Sequence, residues 1–358
     1  MLKEIGIRNY KCFSELNLEL KCMNVLSGAN AAGKSSVIQA LLLASATMKE
    51  KENNIDINQA LGVQIGNPQA LVAQNPVKGY EGDFGFSVKE DDTVASFCYK
   101  IDKMSPLNLT YTKTGKQMES RVFYLNAERV GPRISYPAGG EEIIRPDGSN
   151  AAYVVDQADF KNLQVPLSVR SENSNKFSAQ VEGWMNLILG DVQLRVSTEL
   201  TKASTDIRYR NSMVDHDISP TMTGFGISYI FSIVSMALWC TMQKNTVLIV
   251  ENPEAHLHPA AQSRIGKFLQ IVSDTGVQVI IETHSEHVID GIRVQAAAMN
   301  ITDHVLIHFF HQNNRKIMVD RITVTESGEL SDWPVGFFDQ KTQDLRDLYL
   351  FRSRNADK

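Results

Sequence analysis

What this sequence lacks narrows it first. No two of its four cysteines (Cys12, Cys22, Cys98, Cys240) fall in a C-x-x-C spacing. Thiols scattered in this way argue against a disulfide framework or a zinc site and fit a reducing compartment. A basic excess is missing as well. Formal net charge is −5, so no global positive field advertises nucleic acid or an anionic membrane, although a local basic patch stays open. No apolar run reaches the ~20 residues of a membrane span, and the longest, Ile227–Cys240, falls short of it. The opening MLKEIGIRNYKCF carries charge where a signal peptide needs its apolar stretch. Internal repeats and low-complexity tracts are absent too. The expectation is a soluble, cytoplasmic protein with no membrane partner. With 43% hydrophobic residues over 358 positions it can bury a large core in one or two domains.

What is present begins with Gly28-Ala29-Asn30-Ala31-Ala32-Gly33-Lys34-Ser35, a G-x-x-x-x-G-K-[ST] pattern without deviation. Before it, Met23–Ser27 reads as a short buried strand, and after it Ser36–Ala46 reads as a helix apolar on most faces. Strand, glycine loop and helix in that order make a phosphate cradle. Gly28 and Gly33 would let the backbone present bare N–H groups, the helix N-terminus would add its positive end, and Lys34 would reach the β/γ oxygens. The Ser35 hydroxyl can ligate Mg²⁺. Alone, the pattern also permits a chance glycine-rich turn.

The second half of a nucleotide site lies far downstream. The apolar run Thr246–Val250 leads into Glu251-Asn252-Pro253-Glu254. An apolar strand ending in two acids is the Walker B arrangement, with Glu251 in the Mg²⁺ shell and Glu254 as general base. A solvated turn is the plainer alternative. The next apolar strand, VQVIIE, ends in Thr283-His284-Ser285, where His284 can donate to a γ-phosphate. His284 with His287, or His256 with His258, could instead pair on a metal, but no third ligand is suggested. His256 and His258 are expected to serve a positional role. Three runs, TVLIV, VQVII and VLIHFF, read as strands covered on both faces. Between the first two, Ile265, Phe268, Leu269 and Val272 mark an amphipathic helix opened by Pro259. Alternation of strand and helix indicates parallel strands in an α/β sheet. From Gly85 to Lys113 the pattern is antiparallel strands, and Arg121–Leu125 is one more strand. The interval 131–180 is broken by turn residues; GWMNLILG beyond it reads as helical and Val192–Arg210 as strands.

Several of these segments together resemble an ABC-type P-loop ATPase of the branch that holds structural-maintenance-of-chromosomes (SMC), RecF-like and overcoming-lysogenization-defect (OLD) proteins. Ile5-Gly6-Ile7-Arg8-Asn9-Tyr10-Lys11-Cys12-Phe13 resembles the I-x-N-F-K-x-F opening of that branch, and Gly28–Ser36 its G-x-N-x-x-G-K-S-[ST] loop. Glu251–Pro259, ENPEAHLHP, is similar to the E-N-P-E-x-H-L-H-P of its small bacterial members, and Thr283-His284-Ser285 to their switch. Ala127–Arg133 (AERVGPR), Gly224–Ser228 (GFGIS) and Trp333–Asp339 (WPVGFFD) resemble one subgroup of stand-alone bacterial ATPases, of the kind found in anti-phage defence such as Septu-like or retron-associated ATPases.

The resemblance implies an ABC-type ATPase head of α/β class with a mixed sheet, an antiparallel N-terminal β portion and a short helical or lid insertion. It implies an N-terminal lobe over 1–130, the lid over 131–205 in place of a coiled coil, a C-terminal lobe over 206–320 and a packing element over 321–358. ATP and Mg²⁺ are the implied cofactors. Catalysis would fall to Glu254, His284 and Lys34. Nucleotide would be held by Gly28, Ala29, Asn30, Ala31, Ala32, Gly33, Lys34, Ser35, Ser36 and Lys11, and across a homodimer or higher oligomer by Gly224, Gly226 and Ser228. The metal would rest on Ser35, Glu251 and Gln64, with Gln59 and Gln69 as alternatives to the last. Arg129 and Arg133 could meet phosphate or a partner, and a structural salt bridge is the preferred reading. Trp333, Phe337 and Phe338 read first as packing and second as a docking patch.

Two departures stand out. The signature loop, usually L-S-G-G-Q, is Thr223–Ser228 here, and the metal-side acid is Glu251 rather than aspartate. No sustained heptad occupies 131–205, and only a short tail follows WPVGFFD, so no effector domain is expected within the chain. The resulting expectation is a dimeric ATP-hydrolysing switch that regulates a separate effector, a nuclease or toxin, in anti-phage defence or DNA transactions. The alternatives are a slowly hydrolysing ATP-bound scaffold, a RecF-like DNA-repair ATPase and, less in keeping with the loop, a transporter subunit.

Overall fold

A computed structural model describes residues 1–102, 104–105, 107–314 and 316–356. The chain opens with an antiparallel run: β1 (Leu2–Tyr10), β2 (Phe13–Glu19) and then β3 (Met23–Gly28), which leads into α1 (Lys34–Lys49). A short β4 (Asn54–Asp56) and α2 (Ile57–Leu61) follow, then the strands β5 (Phe84–Glu90), β6 (Thr93–Ile101), β7 (Asn108–Gly115) and β8 (Arg121–Leu125). The middle of the chain holds β9 (Tyr136–Pro137), α3 (Ala151–Phe160), α4 (Phe177–Leu189), β10 (Gln193–Glu199), β11 (Ser204–Asn211) and β12 (Val214–Ile218). The last part runs α5 (Phe225–Thr241), β13 (Thr246–Glu251), α6 (Pro259–Asp274), β14 (Gln278–Glu282), α7 (Glu286–Ala298), β15 (Val305–Asn313), β16 (Lys316–Thr323) and α8 (Gln340–Ala356).

These strands form three sheets. One, ordered β2-β1-β5-β6-β7-β4, is antiparallel throughout. The central one, ordered β16-β15-β3-β14-β13-β8, is parallel except at the β16 edge. The third is a small antiparallel sheet of β10, β11 and β12 with β9 on β11. The fold is therefore mixed α/β, with an antiparallel N-terminal portion.

The central strands explain their own composition. Along β13, Val247 and Ile249 enter a core shared with α1 and the antiparallel sheet, while Leu248 and Val250 enter a second core shared with α3 to α7. Side chains alternate between faces, and because both faces are covered, every residue of the run must be apolar. The same logic accounts for Ile227–Cys240. It becomes α5, buried on nearly all sides from Ile230 onward, a core helix rather than a membrane segment. Among the described residues no helix is long and apolar enough to cross a membrane.

The region expected to be a lid is built into the second core. Trp184 of α4 packs on Phe268 of α6 with ring centroids 4.7 Å apart. Its hairpin continues to Ile218, so a boundary at 205 cuts through β11. The C-terminal segment divides in two. Phe337 is buried against Phe309 at 5.1 Å and Trp333 at 5.2 Å, whereas α8 is exposed along all of its described side chains.

Candidate nucleotide site

The loop from Gly28 to Gly33 joins β3 to α1 at the carboxyl end of the parallel sheet, the end at which ligands of open α/β sheets bind. Its glycines are dictated by packing as well as by phosphate. Gly28 has φ +133° and a Cβ there would sit 2.0 Å from the Phe310 carbonyl oxygen. Gly33, at φ +97°, caps α1 and would press a Cβ into the Phe13 ring and the Cys12 sulfur. Ala31 also takes positive φ, so successive backbone N–H groups turn inward as an anion nest. The resulting cleft of about 310 Å³ is lined by Lys11 and Cys12, by 30–36 and by Glu282.

Inside it, Lys34 is 3% exposed. Its Nζ donates to the carbonyl oxygens of Gly28 at 3.0 Å and Ala29 at 2.8 Å. Burial draws its pKa down, with Glu282 and Glu254 opposing the shift. The Ser35 hydroxyl donates to both carboxylate oxygens of Glu282, at 3.3 and 3.1 Å. Glu282, 3.8 Å from the Lys34 ammonium, is pushed up to about 6 by burial and then by the charge of Glu251. Both partners of this ion pair shift as burial dictates; at that separation Coulomb attraction does not offset desolvation. Lys11, at positive φ, lines the mouth and gives its ammonium to Gln39 Oε1.

The strand tips carry the rest. Backbone bonds from Thr283 N to Leu26 O (3.1 Å) and from Asn252 N to Glu282 O (2.8 Å) tie β3, β14 and β13 together just where their acids emerge. Glu254 accepts from the Thr283 hydroxyl and from the His284 N–H, both at 2.7 Å. His284 itself is exposed, and partial desolvation together with the Lys34 charge lowers its pKa, with Glu254 opposing. Ser285 caps α7 by accepting from Val288 N at 3.2 Å. His258 caps α6 through Nδ1, and His256 packs at tilted ring angles against Phe225 (5.4 Å) and Tyr229 (4.9 Å). Both histidines hold loops in place, and among the described residues no cluster of three or more His, Cys, Asp or Glu forms a metal cage.

Four readings of the sequence need correction. The acid beside the Ser35 hydroxyl is Glu282; Glu251 instead accepts from Ala127 N at 3.0 Å and lies beside Tyr124. An acid directly at the end of VQVIIE was the available signal, equivalent to the one at the end of TVLIV. Gln64 lies exposed in the loop after α2, outside the lining of the cleft, because α2 ends at Gly62 and turns the chain away. Ser228 is 4% exposed; it falls on the inner side of α5 beside Tyr136 and Tyr209, so its hydroxyl is not offered to a neighbouring subunit. Arg129 forms no salt bridge among the described residues. Its guanidinium donates to the carbonyls of Asn126, Glu251 and Asn252 at 2.7–2.8 Å and lies over Tyr229 at 5.2 Å. Arg133 is exposed. Gly224 is exposed and caps the start of α5, whereas Gly226 lies partly buried in its first turn, where a Cβ would meet the His256 carbonyl at 2.7 Å.

Residues 1–130 and 149–289 match the AAA ATPase domain family. The chain belongs to that family. Residues 302–348 match a second one, described as a protein of unknown function, DUF3696. An OLD nuclease of Thermus scotoductus is 21% identical over 89% of this chain and 66% of its own length. The Old nuclease of Escherichia phage P2 is 29% identical over 32% of this chain and 22% of its own. The chain thus spans less than two thirds of the length of either relative. Among solved structures, an SMC head bound to the C-terminal winged-helix domain of ScpA covers 90% of this chain and 98% of its own, with TM-score 0.58 and 11% identity. An SMC head from Pyrococcus furiosus bound to the C-terminal domain of ScpA covers 97% and 99%, with TM-score 0.55 and 10% identity. Within that family the chain is similar in sequence to OLD nucleases and carries the fold of SMC heads.

Proposed function

We infer that the protein binds ATP with Mg²⁺ in the cleft at Gly28–Ser36, hydrolyses it, and uses the cycle as a dimeric switch on a separate effector such as a nuclease or toxin. The observation that carries this reading is that Lys34, Ser35 and Glu282 line one cleft while Glu254 and His284 stand close to Lys34 at the neighbouring strand ends, so that three adjacent parallel strands contribute. The residues suit the metal: a hydroxyl and carboxylates are the hard oxygen donors it prefers. Bound there, it would neutralise phosphate charge and polarise the transferred group.

The protein's own groups divide the remaining work. The nest of N–H groups and Lys34 hold the phosphates in place, so that positioning and charge complementarity dominate. Glu254, fixed by two donors, keeps lone pairs for the proton of an attacking water. His284, next to Glu254 at the end of β14, supplies a ring N–H within reach of a γ-phosphate. The Gly224 end of α5 has no side-chain cap and Phe225 beside it is 53% exposed; uncapped N–H groups at a surface helix start suit a phosphate presented by a second copy. Glu254→Gln should retain ATP affinity within about 3-fold and lower turnover at least 100-fold. Equilibrium binding and steady-state phosphate release measure the two, and unchanged turnover would remove Glu254 from the role of base.

A second reading, an ATP-holding scaffold with slow hydrolysis, is favoured by the buried Ser228, which leaves the composite half-site one hydroxyl short. Stoichiometric ATP retained through gel filtration, with little phosphate released, would select it.

A further inference from the structure

Neither a phosphate loop nor the acid pair after β13 calls for an acid at the end of β14, yet Glu282 stands there at the centre of the cleft. It is the residue that the Ser35 hydroxyl and the Lys34 ammonium both face. Its neighbour in register on β13 is Glu251, whose own carboxylate is committed to Ala127 N. The two acids have therefore split one job: Glu251 braces the segment after β8, and Glu282 faces the phosphate loop.

We propose that Glu282, not Glu251, is the carboxylate that ligates Mg²⁺ beside Ser35 when nucleotide is bound. The inference rests on the ATP reading above. Its geometric warrant is the spacing of the two oxygens. An octahedral magnesium with ligands at 2.0–2.1 Å places adjacent ligands about 2.9 Å apart, and Ser35 Oγ lies 3.1 and 3.3 Å from the two Glu282 oxygens. Two protein oxygens are enough, because magnesium keeps several waters and takes its other ligands from substrate phosphate.

The electrostatics point the same way. A phosphate brought to Lys34 meets the Glu282 carboxylate already at that ammonium, and two anions there repel. A divalent cation between phosphate and Glu282 turns the repulsion into shared ligation. Nucleotide without metal should therefore bind poorly, and the poor binding should trace to Glu282. Arg129 lies near Glu251 and Glu254, and the base paired with Glu282 is Lys34.

The experiment titrates a fluorescent ATP analogue into the full chain with Mg²⁺ and with EDTA, and counts bound Mn²⁺ by the loss of its free EPR signal. Wild type should bind the analogue at least 10-fold tighter with Mg²⁺. Glu282→Gln should bind it in EDTA as tightly as wild type or tighter, gain less than 3-fold from Mg²⁺, and hold Mn²⁺ at least 10-fold more weakly in the presence of nucleotide. Glu282→Asp, which keeps the charge, should recover part of both gains; a circular-dichroism spectrum and thermal midpoint close to wild type show that each variant is folded. The inference falls if Glu282→Gln keeps the full Mg²⁺ gain, or if Glu251→Gln alone abolishes it. It also falls if wild type binds nucleotide tightly without any metal, an outcome that leaves the ATP reading standing. Wild type that binds no nucleotide under either condition would sink the ATP reading itself.

Discussion

His308 shows how far one residue's ionisation is set by its strand. It is 2% exposed on β15, and its Nε2 donates to the Glu19 carbonyl at 3.0 Å. Burial pulls its pKa from 6.5 down to about 4, with Arg321 adding to the shift. Because the folded value lies below the unfolded one, the unfolded chain binds the extra proton between those two pH values. Stability is therefore whole above pH 6.5 and drains away as pH falls toward 4. At pH 5 the loss from this one group should be about 2 kcal/mol. Urea unfolding at pH 7.5 and pH 5 should show it, and His308→Gln should shrink the gap between the two by that amount. An unchanged gap would mean that His308 titrates normally. At this scale the sequence was most legible where a fixed motif fixes the atoms, as at Lys34 and Ser35. It was least legible at Ser228 and Glu282, where a rotation of one helix and the choice between two adjacent strand ends decide which side chain faces the cleft.

At the scale of elements, the segment after β8 is fastened to the end of β13 by Arg129. Three carbonyl oxygens and the Tyr229 ring share one buried guanidinium, whose pKa burial lowers to about 10. Removing it strands those carbonyls away from water, at 1–3 kcal/mol for each that stays unsatisfied. Arg129→Met should cost about 3 kcal/mol in chemical denaturation and should depress phosphate release together with stability, since the carbonyls it holds belong to Glu251 and Asn252. A destabilisation under about 0.5 kcal/mol, the range of an ordinary surface change, would show that water replaces the clamp. The strands themselves were readable from apolar runs: TVLIV, VQVII and VLIHFF are parallel strands of one sheet, each with two covered faces. β4 was not readable. Its three residues, Asn54–Asp56, carry no period and exist because β7 offers them an edge. α8 was not read from the sequence either, and its described side chains are exposed.

For the whole molecule, the site is assembled from chain segments that lie far apart. β3 carries the phosphate loop and is hydrogen-bonded between β14 and β15, so the first strand of the central sheet is completed by two of its last. A chain cut between 130 and 131 should leave neither half able to bind ATP, and the two halves mixed should recover binding slowly, because the missing contacts are long-range. Isothermal titration of each fragment and of the mixture tests this, and ATP binding by residues 1–130 alone would contradict it.

The same order of strands has a consequence during synthesis. A ribosome delivers the Gly28 loop first, but Phe310, whose carbonyl closes against Gly28, emerges only after nearly the whole sheet has been made. Until then β3 has open edges on both sides and the loop has no floor. A Gly28 loop fit to hold a phosphate is thus a late product of folding, formed only once β14 and β15 have closed on both edges of β3.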